Sequence, residues 1–172
     1  MIALPAAETL HFDDIASPVG RLRLIASRDA LVGIWFEHGR DATRSALWLT
    51  RSPSPILELA RTQLEEYFAG RRHVFELPLD ARGTDFQRRV WQRLLNIPYG
   101  TTTTYGALAR ELGDPGASRA VGLANGSNPL PIVIPCHRVI GANGTLTGFG
   151  GGLATKAALL DLERSATQPK LL

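Results

Sequence analysis

The chain has 172 residues, of which 44% are hydrophobic and 20% are charged, as expected for a folded protein that needs no disulfide or metal to hold its core. Its formal net charge of +3 is compatible with a polyanionic partner but does not demonstrate one. A single cysteine excludes an internal disulfide and a Cys-rich zinc site, and the four scattered histidines lack metal-ligand spacing, so we expect no metal or other cofactor.

Residues 1–78 predict a small sheet-plus-helix domain. Residues 10–36 alternate apolar and polar positions with turn residues between them, which predicts a β-meander. A helix is expected to begin at Pro55 with Ser54 as its N-cap and to end at Gly70, and residues 73–77 are expected to form another strand. The inward side of that helix should carry Ile56, Ala60, Leu64, Tyr67 and Phe68. We see no convergent set of polar residues in this half and assign it no chemistry.

Residues 79–83 are mostly polar and end in glycine, which predicts a linker to a second, mostly helical domain at 84–172. Thr84 and Gln87 have the spacing of a capping box at the start of a helix. The apolar face of that helix is expected to consist of Phe86, Val90, Trp91, Leu94 and Leu95. The fold class is therefore α+β, with two domains.

Two short helices with a tight turn between them are expected next. Thr104 is placed to cap the first, which runs through Leu112, and the second runs from Ala117 to about Asn125. These are the dimensions of a helix-turn-helix, although helical hairpins are also common in proteins that do not bind DNA.

Composition favours the DNA-binding interpretation of this helix pair. The second helix carries small residues at Ala120 and Gly122 and a single cation, Arg119, near its start. Such a helix could approach a groove closely and push Arg119 into the base stack.

The stretch 128–140 carries the one cysteine and is framed by three prolines, which exclude a helix there and hold Cys136 in one position. A lone cysteine beside apolar residues is most often a buried hydrophobe. His137 and Arg138 follow at once, however, and nearby cations or a base can stabilise the thiolate that makes a cysteine nucleophilic. Further on, a final helix from about Leu153 places Glu163 on its apolar side, so this carboxylate should have a partner.

The hexamer Ile134-Pro-Cys-His-Arg-Val139 resembles the acceptor-site signature of the O6-alkylguanine-DNA alkyltransferases, and the resemblance extends from about Gly83 to Glu163. It implies a ribonuclease H-like N-terminal domain and a winged helix-turn-helix-like C-terminal domain. It also implies direct-reversal DNA repair, in which methyl or other alkyl groups pass irreversibly, in one turnover, from O6 of guanine, and more weakly O4 of thymine, to Cys136. Some relatives carry zinc near the N-terminus, but nothing in this sequence would hold it.

The implied partner is double-stranded DNA containing alkylated guanine, bound by a monomer that could assemble cooperatively on DNA. The N-terminus lacks a signal-peptide pattern, and no run approaches the ~18 apolar residues of a membrane span, so no membrane partner is expected. We expect a cytoplasmic protein, since that compartment keeps the thiol reduced.

The resemblance also assigns roles to individual residues. His137 takes the proton of Cys136 through a water, Glu163 orients His137, and Tyr105 donates to the guanine ring. Asn128 and Arg138 have structural duties at the site. The expected DNA and base contacts are Arg119, which fills the space left by the flipped nucleotide, together with Thr104, Ala120, Gly122, Phe149, Gly150 and Gly151.

Two features of the loop at 148–152 depart from the family pattern. Phe149 stands where several relatives have Tyr, and Gly150 stands where some have Ser, so the tolerance for bulky alkyl groups stays open. The repair interpretation as a whole requires the Cys136 sulfur to lie beside an imidazole, at the bottom of a cavity that fits a purine.

Two other functions remain possible on the sequence alone. A non-catalytic binder of damaged DNA could use the same helix and arginine, although binders that resemble this family lack the cysteine. A cysteine hydrolase could use Cys136, His137 and Glu163, but adjacent residues on a strand point to opposite faces unless a turn begins at Cys136. His137 could also be a core histidine bonded to backbone.

Overall fold

The computed structural model of the chain describes residues 8–39 and 49–168, and the expected domain ends at 1–7 and 169–172 lie outside them. The first half is built on one four-stranded sheet with the order β3-β2-β1-β4. Its strands are β1 (Leu10–Ile15), β2 (Leu22–Ala26), β3 (Leu31–Phe36) and β4 (Leu49–Arg51). The antiparallel pairing of β1 with β2 and of β2 with β3 confirms the predicted meander, whereas β4, parallel to β1, was not predicted.

The helix α1 (Pro55–Phe68) begins where the sequence predicts, with proline in its first turn and Gly70 just beyond its end at φ 70°. Ser54 occupies the N-cap position, but its side chain makes no capping hydrogen bond. The buried face differs slightly from the expected one, because Ile56 and Phe68 are only half-buried. The fully buried positions are Leu57, Ala60, Gln63, Leu64 and Tyr67.

The predicted strand at 73–77 is wrong. The Gln63 side chain takes the place of a strand partner there: its Nε2 donates to the Glu76 carbonyl at 2.9 Å, and the Glu76 N–H donates to its Oε1 at 2.8 Å. The chain instead meets the sheet at one isolated bridge between Leu79 and Leu31. A buried amide from a helix therefore satisfies backbone groups that the sequence pattern assigned to a sheet.

The second half begins with α2 (Asp85–Leu94), and its capping box forms as predicted, with the Gln87 N–H donating to Thr84 Oγ1 and the Thr84 N–H donating to Gln87 Oε1. The expectation that Leu95 lies in the core is wrong, because the helix ends before it and 42% of the residue is exposed. Gly83 allows the close approach of this helix, since a Cβ there would overlap the Trp91 ring.

The helix pair forms close to its predicted bounds. After β5 (Thr103–Thr104) come α3 (Tyr105–Glu111) and α4 (Ser118–Gly126), separated by a one-turn 3₁₀ helix (Pro115–Ala117). Thr104 caps α3 by accepting from the Ala107 N–H at 3.1 Å, as predicted. The remaining elements are a 3₁₀ turn (Cys136–Arg138), β6 (Val139–Ile140), which pairs parallel to β5, and α5 (Leu153–Thr167).

One continuous hydrophobic core joins both halves, running from Leu22 and Ile34 on the sheet to Trp91, Val133 and Cys136. The Ile34 N–H donates to the Pro129 carbonyl at 2.9 Å, so β3 is hydrogen-bonded directly to the stretch that carries the cysteine. Among the helices that the structure describes, none is long and apolar enough to cross a membrane.

Candidate active site

The stretch 128–135 folds into successive turns, and a 3₁₀ turn begins at Cys136 itself. The Ile134 N–H donates to the Leu130 carbonyl at 2.8 Å, and the Cys136 N–H donates to the Ile134 carbonyl at 2.8 Å. Ile132 has a φ of 75°, which is rare for a β-branched residue, and it is fully buried. Because a turn begins at Cys136, the objection that adjacent side chains must face opposite ways does not apply here.

Two buried asparagines tie these turns to the helix pair. Asn128 Nδ2 donates to the Ile134 carbonyl at 2.8 Å, and its Oδ1 accepts from the Leu130 N–H at 2.9 Å. Asn125, near the end of α4, donates through Nδ2 to the Cys136 carbonyl at 3.4 Å. The position of the thiol is therefore coupled to α4.

The Cys136 thiol is protonated at neutral pH in this structure. Burial raises its pKa to about 11, although the Asn128 amide and the charge of Lys156 act in the opposite direction. Only 4% of the residue is exposed. The sulfur needs a base before it can act as a nucleophile.

A fully buried carboxylate, Glu163, is the centre of the polar network at the site. Its Oε1 accepts from His137 Nε2 at 2.7 Å, from Arg138 at 2.9 Å and from the Tyr67 hydroxyl at 2.8 Å. Its Oε2 accepts from Arg138 Nε at 2.9 Å and from the Gly100 N–H at 3.0 Å. Burial opposes its ionisation, but the hydrogen bonds from His137 and Arg138 outweigh that effect and lower its pKa to about 2.

His137 is fully buried, and its contacts fix the position of its ring proton. Because the ionised Glu163 can only accept, Nε2 must carry the proton, and Nδ1 of the neutral ring is then an acceptor. Nδ1 has no hydrogen-bond partner among the residues that the structure describes. Burial lowers the pKa of His137, so the ring is neutral at physiological pH. The ring nitrogen thus bonds to a carboxylate and not to backbone, which argues against a purely structural core histidine.

Arg138 is held on two sides. Besides its two bonds to Glu163, its NH1 group donates to the Ile97 carbonyl at 2.7 Å, which fastens the acceptor turn to the loop after α2. Its guanidinium also lies 5.6 Å from the centre of the Tyr99 ring. A buried cation with both its charge and its donors satisfied fixes the turn in one arrangement.

Lys156 on α5 is a second, fully buried cation close to the thiol. Its Nζ donates to the Val139 carbonyl at 2.6 Å and to the Thr147 carbonyl at 2.8 Å. Burial lowers its pKa, and its charge lowers the pKa of Cys136. The lysine therefore connects the strand after the thiol to the start of the glycine-rich loop.

The space next to Cys136 is narrower than a purine. The cavity beside the sulfur has a volume of about 20 Å³, which is enough for one water molecule. The cleft is lined by side chains and backbone from both halves, namely Ile34, Phe36, Gly39, Asn125, Gly126, Asn128, Pro131, Cys136, Gly148, Phe149 and Gly150. The expectation of a purine-sized cavity is thus not met while the glycine-rich loop lies in this position.

The glycine-rich loop, residues 148–152, rests against β3. The ring of Phe149 packs edge-on to Phe36, with centroids 5.5 Å apart, and also lies 6.5 Å from the His137 ring. A Cβ on Gly151 would come within 2.9 Å of the Phe36 ring, and one on Gly39 within 2.7 Å of the Gly150 carbonyl. Glycine at these positions therefore allows the loop to close over the cysteine.

The helix pair lies at the edge of the cleft. The last residues of α4 line it, while Arg119 and Ala120, at the start of the same helix, are exposed on the surface. Arg119 forms no hydrogen bond or ion pair with the residues described. The Tyr105 hydroxyl donates to the Thr147 carbonyl at 3.2 Å, and a Cβ on the half-buried Gly122 would contact the Tyr105 ring at 3.8 Å.

Comparison with known proteins places the chain in one family. The methylated-DNA–protein-cysteine methyltransferase of Mycobacterium bovis is 50% identical over 158 residues, covering 91% of this chain and 93% of that protein. A family model described as the ribonuclease-like domain of 6-O-methylguanine DNA methyltransferase matches residues 10–81, and the corresponding DNA binding domain matches residues 85–165. The chain belongs to the 6-O-methylguanine DNA methyltransferase family. The methylated-DNA–protein-cysteine methyltransferase of Methanosarcina acetivorans is 44% identical over 156 residues, covering 91% of this chain and 99% of that protein.

Solved structures of the methyltransferase family share this fold. The Mycobacterium tuberculosis O6-methylguanine methyltransferase superposes with a TM-score of 0.83 at 47% identity, covering 94% of this chain and 96% of that one. The M. tuberculosis protein in complex with DNA gives 0.84 at 49% identity, covering 91% of this chain and 94% of that one. These matches confirm the family, the α+β fold, the enzyme class and the expected function of DNA repair by alkyl transfer. They give no support to the non-catalytic binder or the hydrolase.

The structure brings some of the expected site residues of this methyltransferase together and leaves others apart. Cys136, Asn128, Phe149 and Gly150 line one cleft. His137, Arg138 and Glu163 form the buried network behind it. Arg119, Ala120, Gly122, Thr104 and Tyr105 belong to the helix pair, and Gly151 faces Phe36.

Sequence reasoning missed three contributors to the site. Lys156 lies three, four and seven residues before Leu159, Leu160 and Glu163, so the helical spacing that identified Glu163 also indicated this lysine. Asn125 carried no signal beyond its place at the end of α4. Tyr67 was expected to face inward, but its contact with a residue 96 positions later leaves no trace in the local sequence.

Proposed function

We propose that this methyltransferase repairs alkylated DNA by a single transfer to Cys136, and that His137 and Glu163 activate the thiol. The observation that carries this proposal is the 2.7 Å hydrogen bond between His137 Nε2 and Glu163 Oε1. It leaves Nδ1 of the imidazole as an acceptor with no partner among the described residues, and Nδ1 is the atom that we propose takes the thiol proton.

The transfer step moves one alkyl group and one proton. A water relays the thiol proton to His137 Nδ1, and the sulfur attacks the alkyl carbon. The S–C bond forms as the C–O6 bond breaks, and the bonding electron pair stays on guanine. The proton taken from the thiol then passes to the guanine ring, which leaves as an ordinary base. The thioether that results has no leaving group, so the protein acts once.

The leaving guanine needs a donor, and the Tyr105 hydroxyl is proposed to supply one after a small rearrangement. Its hydroxyl now donates to the Thr147 carbonyl, which also accepts from Lys156 at the shorter distance of 2.8 Å. If Tyr105 turns to the base, that carbonyl keeps its bond to Lys156 and no buried acceptor is left unpaired. Backbone N–H groups of Gly150 and Gly151 are the proposed second set of donors.

Entry of the base requires the glycine-rich loop to move. A flipped purine does not fit the present cleft, so Phe149 must separate from Phe36 while the network around Glu163 stays in place. On the DNA side, Arg119 is exposed and unpaired within the described chain, and it is proposed to occupy the space that the base vacates. Thr104, Ala120 and Gly122 are proposed to support the backbone and groove contacts of the same helix pair.

The proposed setting is a monomer in the cytoplasm that binds duplex DNA containing alkylated guanine and can assemble cooperatively along it. We propose that the chain divides into domains at 1–78 and 84–172, with residues 79–83 as the linker. We also propose that Asn128 keeps the turn that carries Cys136 in register with α4. Sedimentation of the protein alone and with duplexes of increasing length measures both the monomer and the cooperativity.

Intact-mass measurement tests the transfer directly. After incubation with a duplex containing O6-methylguanine, the protein should gain the mass of one methyl group, and peptide mapping should place it on Cys136. The Cys136→Ser variant and a duplex with ordinary guanine serve as controls and should show no gain. Absence of a gain in the unaltered protein, or a gain that is later released with repeated turnover, would refute the proposal.

A further inference from the structure

Tyr67 brings a polar group from the first half of the chain into the buried network of the second. It lies on α1, is fully buried, and donates its hydroxyl to Glu163 Oε1 at 2.8 Å. Burial, together with the adjacent carboxylate, raises the pKa of Tyr67 far above its usual range, so the hydroxyl is always protonated and always a donor. A residue of the domain to which the sequence assigns no chemistry therefore contacts the group that binds His137.

Three donors share the oxygen that holds His137. Glu163 Oε1 accepts from Tyr67, His137 and Arg138 at 2.7 to 2.9 Å. Each donor withdraws part of the negative charge from that oxygen, so the hydrogen bond to His137 is weaker than it would be to a carboxylate without competitors. A weaker bond favours the neutral imidazole over the imidazolium.

We propose that Tyr67 is a positioning residue of the transfer reaction, which acts through Glu163 to keep His137 in its neutral, proton-accepting form. This inference rests on the proposed role of His137 as the base. It implies that the N-terminal domain tunes the chemistry of the active site and does not merely cover it. The titratable and charged groups that face His137 and Glu163 are Lys156 on α5, Cys136 and Arg138 in the acceptor turn, Tyr67 on α1 and Tyr99 in the loop after α2.

The competing explanation is that Tyr67 only fills the core. Its ring packs against Phe68, Phe75 and Tyr99, with centroids 5.3 to 6.0 Å apart. Tyr67→Phe keeps that ring and removes only the hydroxyl. Tyr99→Phe is the matched control, because the Tyr99 hydroxyl is also buried near the network but has no hydrogen-bond partner among the described residues.

The test follows His137 by two measurements in the full-length protein. One is the acidic limb of the methyl-transfer rate against pH, and the other is the titration of the His137 ring by NMR, assigned with His137→Gln. In Tyr67→Phe both should move to higher pH by about one unit, because Glu163 then stabilises the imidazolium more strongly. In Tyr99→Phe neither should move.

The outcomes separate this inference from the proposed function. An unchanged His137 titration in folded Tyr67→Phe overturns the inference, whatever happens to thermal stability. If that variant does not fold, protein made with 3-fluorotyrosine in a Tyr99→Phe, Tyr105→Phe background carries the label at position 67 alone, where it is a stronger donor. The His137 titration should then move to lower pH, and no movement overturns the inference in that case too. Failure of the unaltered protein to transfer methyl refutes the proposed function instead, and the NMR titration is independent of that result.

Discussion

Methylation of Cys136 is expected to destabilise the folded protein, because the added methyl group must fit beside a buried sulfur whose neighbouring cavity holds only one water molecule. The sulfur is almost completely buried, and the walls around it include Ile34, Pro131 and Phe149. Adding a carbon to a packed site typically costs about 1–3 kcal/mol. For a chain of this size, each kcal/mol lowers the melting temperature by about 2–4 °C, so we expect a decrease of about 2 to 12 °C.

Calorimetry of fully methylated protein measures this effect. The protein is first reacted with a duplex containing O6-methylguanine. It is then freed of DNA, because a bound ligand raises the apparent stability. The control is protein taken through the same steps with an ordinary duplex. Transfer of a larger alkyl group should lower the melting temperature further. Equal melting temperatures for methylated and unreacted protein would show that the cleft relaxes without cost, and the reasoning from packing would be wrong.

Further predictions concern the buried charges and the helix pair. Glu163→Gln leaves the Arg138 cation without its counter-ion, so the free energy of unfolding measured in urea should fall by about 3–5 kcal/mol. Methyl transfer should also slow by about 100-fold or more. A fall in unfolding free energy below about 1 kcal/mol would contradict a buried ion pair. Arg119→Ala should slow methyl transfer from duplex DNA about tenfold but leave the rate with free O6-methylguanine unchanged. Equal losses of rate in both assays would mean that Arg119 does not act in base flipping. Lys156→Met removes the buried ammonium that donates to the Val139 and Thr147 carbonyls, and the Thr147 carbonyl keeps the Tyr105 hydroxyl as a donor, so urea unfolding should show a loss of about 1–3 kcal/mol. The pH at which Cys136 reacts with iodoacetamide should rise, and an unchanged reaction profile would exclude an electrostatic role of Lys156. Burial lowers the pKa of His137, so below pH 6.5 the unfolded chain binds a proton that the native protein does not. The free energy of unfolding should therefore fall as the pH drops. Urea midpoints that stay level from neutrality to about pH 5 would contradict this.

Local features were the most predictable part of this fold. The Thr84–Gln87 capping box, the Thr104 cap and the antiparallel meander all form where the sequence indicates, because each depends on residues a few positions apart. Two of the errors in the fold have different causes. Residues 73–77 are strand-like in pattern but are bound by the Gln63 side chain. Leu95 continues an apolar pattern for one residue after the helix has ended.

In the site, too, the local features were predictable from the sequence and the contacts between distant residues were not. The Cys136–His137–Arg138 triplet and the inward carboxylate of Glu163 are visible in the sequence, and their hydrogen bonds in the structure are compatible with the proposed roles. The closed cleft was not predictable, because its walls come from β3 and from a loop more than a hundred residues later in the chain. The bond between Tyr67 and Glu163 has the same origin.

The structure also separates what must stay fixed during transfer from what must move. The carboxylate network has its donors and charges satisfied and is fully buried, so any displacement would expose an unpaired charge. The loop at 148–152 is anchored at Thr147, whose carbonyl accepts from Lys156 and from the Tyr105 hydroxyl, and its Phe149 ring lies against Phe36 and near the His137 ring. Because Phe149 and Gly150 line the cleft beside Cys136, sequence changes at these positions should alter which alkyl groups are accepted, whereas changes around Glu163 should alter the rate for all of them.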